Sequence, residues 1–208
     1  MSLDTLLSAF VTLLLVVDPL GLVPTYVAIT DDLPDALRRQ VAARACIIAA
    51  VVLAGAAVGG DGLFRLVGIT LPAFRIAGGL LLFSIASEMV FGLRIERQSK
   101  TAEQAIEEHV RNIAAFPLAV PLMAGPGAIT ATVLLAGRDS GNPAALALLI
   151  GVILVVLAIC YAAFLAGGRI ATALGITGNV VLSRLLGVLL AALAVQYVID
   201  GIRAVLAG

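Results

Sequence analysis

The stretch Phe116-Pro117-Leu118-Ala119-Val120-Pro121-Leu122-Met123-Ala124-Gly125-Pro126-Gly127-Ala128-Ile129-Thr130 decides how the chain is read. It sits in a run from Ile113 to Gly137 that holds no charged residue. That run is long enough for a hydrocarbon layer of roughly 30 Å, which takes about 20 helical residues. Yet the 116–130 stretch carries three prolines and two glycines where a plain anchor carries Leu and Val. Each proline lacks an N–H and crowds the carbonyl four residues back, so Pro121 frees Pro117 and Pro126 frees Leu122. Backbone left unpaired in hydrocarbon survives only where protein or a water-lined cavity covers it. A single kink would be read as packing, but a partner stretch in the first half makes this a binding-site signal.

That partner is Asp18-Pro19-Leu20-Gly21-Leu22-Val23-Pro24. Asp18 falls near mid-depth of the first apolar segment, where a carboxylate costs about 3 kcal/mol on insertion scales and needs an interior partner. Pro19 and Pro24 free the carbonyls of Leu15 and Leu20, and Gly21 permits a close backbone approach. Asp18 also suits the cap of a following half-helix, since Asp is a favoured N-cap and Pro a favoured first helical residue.

Composition sets the class. The 208 residues are 62% apolar and 12% charged, with 13 basic and 13 acidic side chains. A soluble domain is about half apolar and a quarter charged. Six segments reach membrane length, at about 5–29, 40–60, 71–93, 114–137, 144–168 and 182–206. The chain is thus expected to be one transmembrane domain over 1–208. Zero net charge gives no electrostatic reason for a nucleic-acid partner. Asp4 without Lys or Arg at the start argues against a cleaved leader. Gly55 and Gly59 have the small-residue spacing that lets helices pack closely. Cys46 and Cys160 read as apolar fillers. Glu88 stands between a buried functional carboxylate and a wetted helix end. Residues 94–113 show helical periodicity with a Glu107–Arg111 pair, and read as an amphipathic helix on the membrane surface carrying His109.

The second half repeats the first. Gly68-Ile69-Thr70, Arg75, Gly78, Gly92 and Arg94 are matched in order by Gly175-Ile176-Thr177, Arg184, Gly187, Gly201 and Arg203, and Pro19 by Pro126. Three spans per half make the copies inverted. Repeat 1 covers about 1–93, a cytoplasmic loop about 94–113, and repeat 2 about 114–208. With the N-terminus outside, Arg38, Arg39, Arg44, Arg94, Arg97, Lys100, Arg111, Arg169 and Arg184 lie inside against Arg65, Arg75, Arg138 and Arg203 outside. The positive-inside rule then gives N-out, C-out. Interrupted segments at corresponding places in inverted halves point to a secondary transporter's solute site.

The motifs Asp18-Pro19-Leu20-Gly21 with Pro24, and Pro121-Leu122 with Gly125-Pro126-Gly127-Ala128-Ile129-Thr130, within six spans, resemble the MarC family of membrane proteins. The resemblance covers essentially the whole chain. It implies a multi-pass protein of the inner (plasma) membrane and, as for some relatives, transport of small neutral amino acids. Many relatives carry Asn where this chain has Leu22.

The expected function is therefore a transporter or exporter of a small zwitterionic solute. Its site residues are Asp18, Pro19, Gly21, Pro24, Gly125, Pro126, Gly127, Ala128, Ile129 and Thr130. The N–H groups of Gly127, Ala128 and Ile129 at a half-helix start suit a carboxylate, with the Thr130 hydroxyl beside them. Asp18 and the freed carbonyls of Leu15 and Leu20 suit an ammonium. Filling the backbone approach with Gly127→Val should block binding at little cost to insertion. Expected partners are the solute, a proton or sodium ion and the lipid bilayer, with a homo-oligomer left open. An ion or metal transporter using Asp18, or a non-transport membrane protein, is the alternative. An enzyme is not expected, because no nucleophile–base pair or metal cluster is legible; no metal or cofactor is called for.

Overall fold

The computed structural model describes residues 3–107, 112–139 and 141–207, all in helices and the turns between them. In chain order these are α1 (Leu3–Val17), α2 (Val23–Thr30), α3 (Asp35–Val67), α4 (Leu71–Phe91) and α5 (Leu93–Glu107). A wide-turned segment, Ala114–Met123, precedes α6 (Pro126–Ala136), and a short turn leads to α7 (Pro143–Leu165) and α8 (Gly167–Ala207). Four helices are long and apolar enough to cross a membrane, or five if the 114–123 segment and α6 count as one bent span. The expected first span is present as two short pieces, α1 and α2, of 15 and 8 residues.

Local chemistry explains the ends. Asn142 caps α7, its Oδ1 accepting the N–H groups of Ala144 and Ala145 at 3.1 and 3.3 Å, with Pro143 following. Thr70 caps α4 through Ala73, with Pro72 in the first turn. Gly68 (φ 75°) ends α3, and Gly175 (φ 58°) interrupts α8, so that a straight run begins again at Thr177. Both positions need the left-handed backbone that glycine adopts without a Cβ penalty.

α4 and α8 form the most extensive helix pair, followed by α3 with α7, while α1 packs on α6 and α7. A Cβ at Gly79 would lie 2.7 Å from the Ala194 carbonyl, and one at Gly201 would lie 2.9 Å from the Pro72 carbonyl. These glycines set the α4–α8 approach, as small residues do between membrane helices. Gly55 and Gly59 do not play that part. Both are exposed, and a Cβ at either meets nothing within 4 Å. The spacing was right for a packing face, but that face of α3 turns outward; Gly60 next to it is buried against Val133. Leu66, Val51, Val155, Leu185 and Leu189 are likewise exposed and form the apolar exterior expected against lipid.

α5 departs most from expectation. It is a helix, but it does not simply lie on the surface: Arg94 and Gln98, one turn apart, are each 5% exposed. It packs on α2, α4 and the 114–123 segment. Its wetted side carries Lys100 bound to Glu96 at 2.7 Å, which holds the Glu96 carboxyl below its usual range. His109 and Arg111 lie outside the described residues, and with them the Glu107–Arg111 pair.

Candidate functional site

Both proline-rich stretches break their helices. α1 ends at Val17, and Asp18 turns the chain at φ 55°, in the left-handed region where Asp is among the tolerated residues. Its Oδ1 accepts the Gly21 N–H at 3.1 Å. Asp18 thus caps the turn, not α2 itself, whose first residue follows Leu22 without a side-chain cap. Gly21 is required because a Cβ there would lie 2.6 Å from Asp18 Cγ. In the second half, Phe116 and Val120 are extended, with cis peptides at Phe116–Pro117 and Val120–Pro121. The chain then breaks at Ala124 and Gly125 and resumes as α6, bent by 56°. A Cβ at Gly125 would fall on the Pro121 carbonyl oxygen.

Of the two carbonyls expected to be free at the first break, that of Leu20 is taken. Leu20 O accepts the Val23 N–H at 3.2 Å. Val16 O, at the end of α1, accepts Nη2 of Arg94 at 2.8 Å. Nη1 of Arg94 points to Met89 Sδ at 3.3 Å. Asp18, which is 2% exposed, lies two residues on from the carbonyl that Arg94 binds, so the two buried charges are neighbours without a direct ion pair. A guanidinium from α5 therefore stands where a solute ammonium was expected.

At the second break the backbone is open. α6 has no side-chain cap. Pro126 brings no N–H, and the Ile129 N–H is taken by Gly125 O at 3.0 Å, so the free first-turn donors are those of Gly127 and Ala128. A cavity of about 250 Å³ lies against them, lined by Gly125, Pro126, Gly127 and Ala128 with Val16 and Ile85. From α5 it receives Arg94, Arg97, Gln98 and Thr101. Arg97 Nη1 donates to Glu88 Oε1 at 2.9 Å, and Glu88 Oε2 is buried without a partner among the described residues. A second cavity of about 360 Å³ lies against the first break, lined by Leu20, Val23 and Pro24, by Ile95 and Ser99 of α5, and by Gly175 and Asn179 of α8.

With two interrupted segments flanking a helix that faces both, the sequence comparisons can be set beside the geometry. The chain matches the profile described as "MarC family integral membrane protein" over residues 3–206. The chain belongs to the MarC family. Within that family's curated members it is 36% identical over 209 residues to a UPF0056 membrane protein of Methanocaldococcus jannaschii, covering 99% of this chain and 100% of the relative. A UPF0056 membrane protein of Aquifex aeolicus is 36% identical over 197 residues, 94% of this chain and 91% of the relative. One of Escherichia coli is 33% identical over 202 residues, 96% and 92%. No solved structure matches the chain.

In this MarC-family chain the structure brings Gly125, Pro126, Gly127 and Ala128 together on one cavity and places Pro24 on the other, while Asp18 lines neither. Thr130 lies against Gly78 of α4, whose added Cβ would sit 2.9 Å from Thr130 Cγ2. Gly127 is not a free wall: a Cβ there would strike Ile85 Cδ1 and lie 3.3 Å from Val16 Cγ1. Gly127→Val therefore disturbs packing as well as the backbone approach. Arg94, Gln98 and Thr101 were not read as site residues. Their spacing of four and three residues puts them on one helical face, the signal available in a helix otherwise dense in charge.

Proposed function

We propose that this MarC-family protein is a secondary transporter of small neutral amino acids or similar zwitterionic solutes. In this reading α1–α2 and the 114–123 segment with α6 each count as one interrupted span, giving six. The six form two inverted three-helix repeats, with both termini outside and the protein in the inner (plasma) membrane. The observation that carries the reading is the cavity at the uncapped start of α6, opposite the break at Asp18. Half-helix N-termini aimed at a solute carboxylate are a feature of transporters with inverted repeats. The volume supports a small solute, being below the range that holds drug-sized ligands, about 300–1,000 Å³.

The helix pairing supports the repeat. The second and third spans pack on their counterparts, α3 on α7 and α4 on α8, as elements near a two-fold axis do, and α1 of the first span packs on α6 of the fourth. The left-handed glycines at 68 and 175 occupy matching places before the third span of each half. Ion or metal transport at Asp18 is the weaker reading, because that carboxylate is turned onto the Gly21 N–H and already faces the charge of Arg94.

The test is exchange of radiolabelled glycine and alanine in vesicles containing the purified protein, with and without proton and sodium gradients. Exchange above that of protein-free vesicles, competed by other small neutral amino acids, is expected. No exchange of any of them under any gradient would remove the transporter reading.

A further inference from the structure

We infer that the α6 cavity is a monocarboxylate-binding site whose anchoring cation is Arg94, with Gln98 as its second polar group and Asp18 as a built-in counter-charge. The inference rests on the proposed solute site and names what holds the solute's acidic end.

Arg94 is almost fully buried, yet its bonding is incomplete. A guanidinium has five N–H donors. Two are placed, one on Val16 O and one on the weak acceptor Met89 Sδ. Asp18 acts on Arg94 electrostatically, but among the described residues no hydrogen bond joins them, and Oδ1 of Asp18 is engaged by Gly21. The charge is compensated at a distance while its donors stay open toward the cavity it lines. An oxyanion in that cavity would accept from the donors left over, as a charged hydrogen-bond partner.

Gln98 is an independent sign. It is 5% exposed, lines the same cavity, and has no hydrogen-bond partner among the described residues. Gln98, Gly127 and Ala128 line that cavity with Arg94. The charge balance fixes the class of ligand. Asp18 offsets Arg94, and Glu88 offsets Arg97 at 2.9 Å. What remains is the positive end of α6, about half an elementary charge. That suits one negative charge and disfavours two.

The test titrates the detergent-purified full chain with sodium propionate, sodium succinate, ethylammonium chloride and sodium chloride, reading heat and thermal stability. Saturable binding of propionate is expected, with weaker succinate and no effect of ethylammonium or chloride beyond that of ionic strength. Because Arg94→Gln alone strands Asp18, the decisive variant is Asp18→Asn/Arg94→Gln, which removes both charges. It should remain folded and bind propionate about 10- to 100-fold more weakly, the worth of a charged hydrogen bond. Asp18→Asn alone should gain more stability from propionate than the wild type, since the ligand then becomes the main counter-anion of Arg94. Undiminished propionate binding in the double variant, or no saturable binding in the wild type, overturns the inference. Binding that depends on Arg94 in a protein that moves nothing across vesicles leaves the site intact and removes the transporter reading. Exchange of amino acids that survives the double variant does the reverse.

Discussion

The two interrupted segments start from the same chemistry and end differently. At the first, the protein meets the broken backbone with its own groups, Asp18 on the Gly21 N–H and Arg94 on the Val16 carbonyl, although a cavity still lies against Leu20, Val23 and Pro24. At the second, α6 starts without a side-chain cap, and its first donors face a cavity. Proline and glycine therefore locate a break, but the side chains reaching it decide whether it binds something or is closed. Here Arg94 serves both, bonding the Val16 carbonyl at the first break and lining the cavity at the second. α5 is the element that couples them.

The largest effect should come from that shared residue. Arg94→Gln leaves buried Asp18 without a neighbouring cation and the Val16 carbonyl without its donor, and a buried charge left uncompensated costs about 3–5 kcal/mol. Asp18→Asn/Arg94→Gln should lose less than half as much, because neither charge is stranded. Thermal unfolding in detergent measures both. Equal losses in the single and double variants would mean the two breaks are not coupled through charge.

A smaller effect separates the breaks from each other. Gly21→Ala places a methyl against the Asp18 carboxylate, whose position the turn fixes, and should cost about 1–3 kcal/mol as overpacking does. Gly127→Ala meets the far end of Ile85, which can swing away. It should cost about 1 kcal/mol or less while reducing the cavity and weakening propionate binding several-fold. If Gly127→Ala proves the more destabilising of the two, the second break is the tightly filled one and the contrast is reversed.

The positions of both breaks were legible because Pro, Gly and Asp stand out against an apolar background where each has a stated backbone consequence. The general helical membrane class followed from the same contrast. What closes the breaks was not legible. Arg94 and Gln98 sit in the most charged helix of the chain, where an amphipathic pattern does not say whether the polar face meets water or a buried site. Gly55 and Gly59 show the converse limit, since a spacing identifies a face and not what it faces. The proposed repeat is also uneven: Gly92 ends α4 at φ 81°, while Gly201, aligned with it in sequence, continues α8 as a contact glycine. One alignment column thus serves two backbone roles, a difference invisible before the helices are placed.

The smallest effects concern the prolines themselves. Pro126 is the first residue of α6 and Pro24 lies in the first turn of α2. Proline is tolerated there because the N–H it lacks would have no partner within the helix. Pro126→Ala and Pro24→Ala should each change stability by no more than about 0.5 kcal/mol, as substitutions that remove no packed or bonded group do. They should differ in binding. The new N–H at 126 joins the uncapped donors of Gly127 and Ala128 beside the cavity and should leave propionate binding unchanged or slightly tighter. The new N–H at 24 lies beside the other cavity, away from Gly127 and Ala128, so propionate binding should not respond. Calorimetric titration of the two variants measures this. Clear weakening by Pro126→Ala would mean that α6 does not present an open N-terminus to the ligand, and the distinction between a closed and an open break would fail where it is most directly drawn.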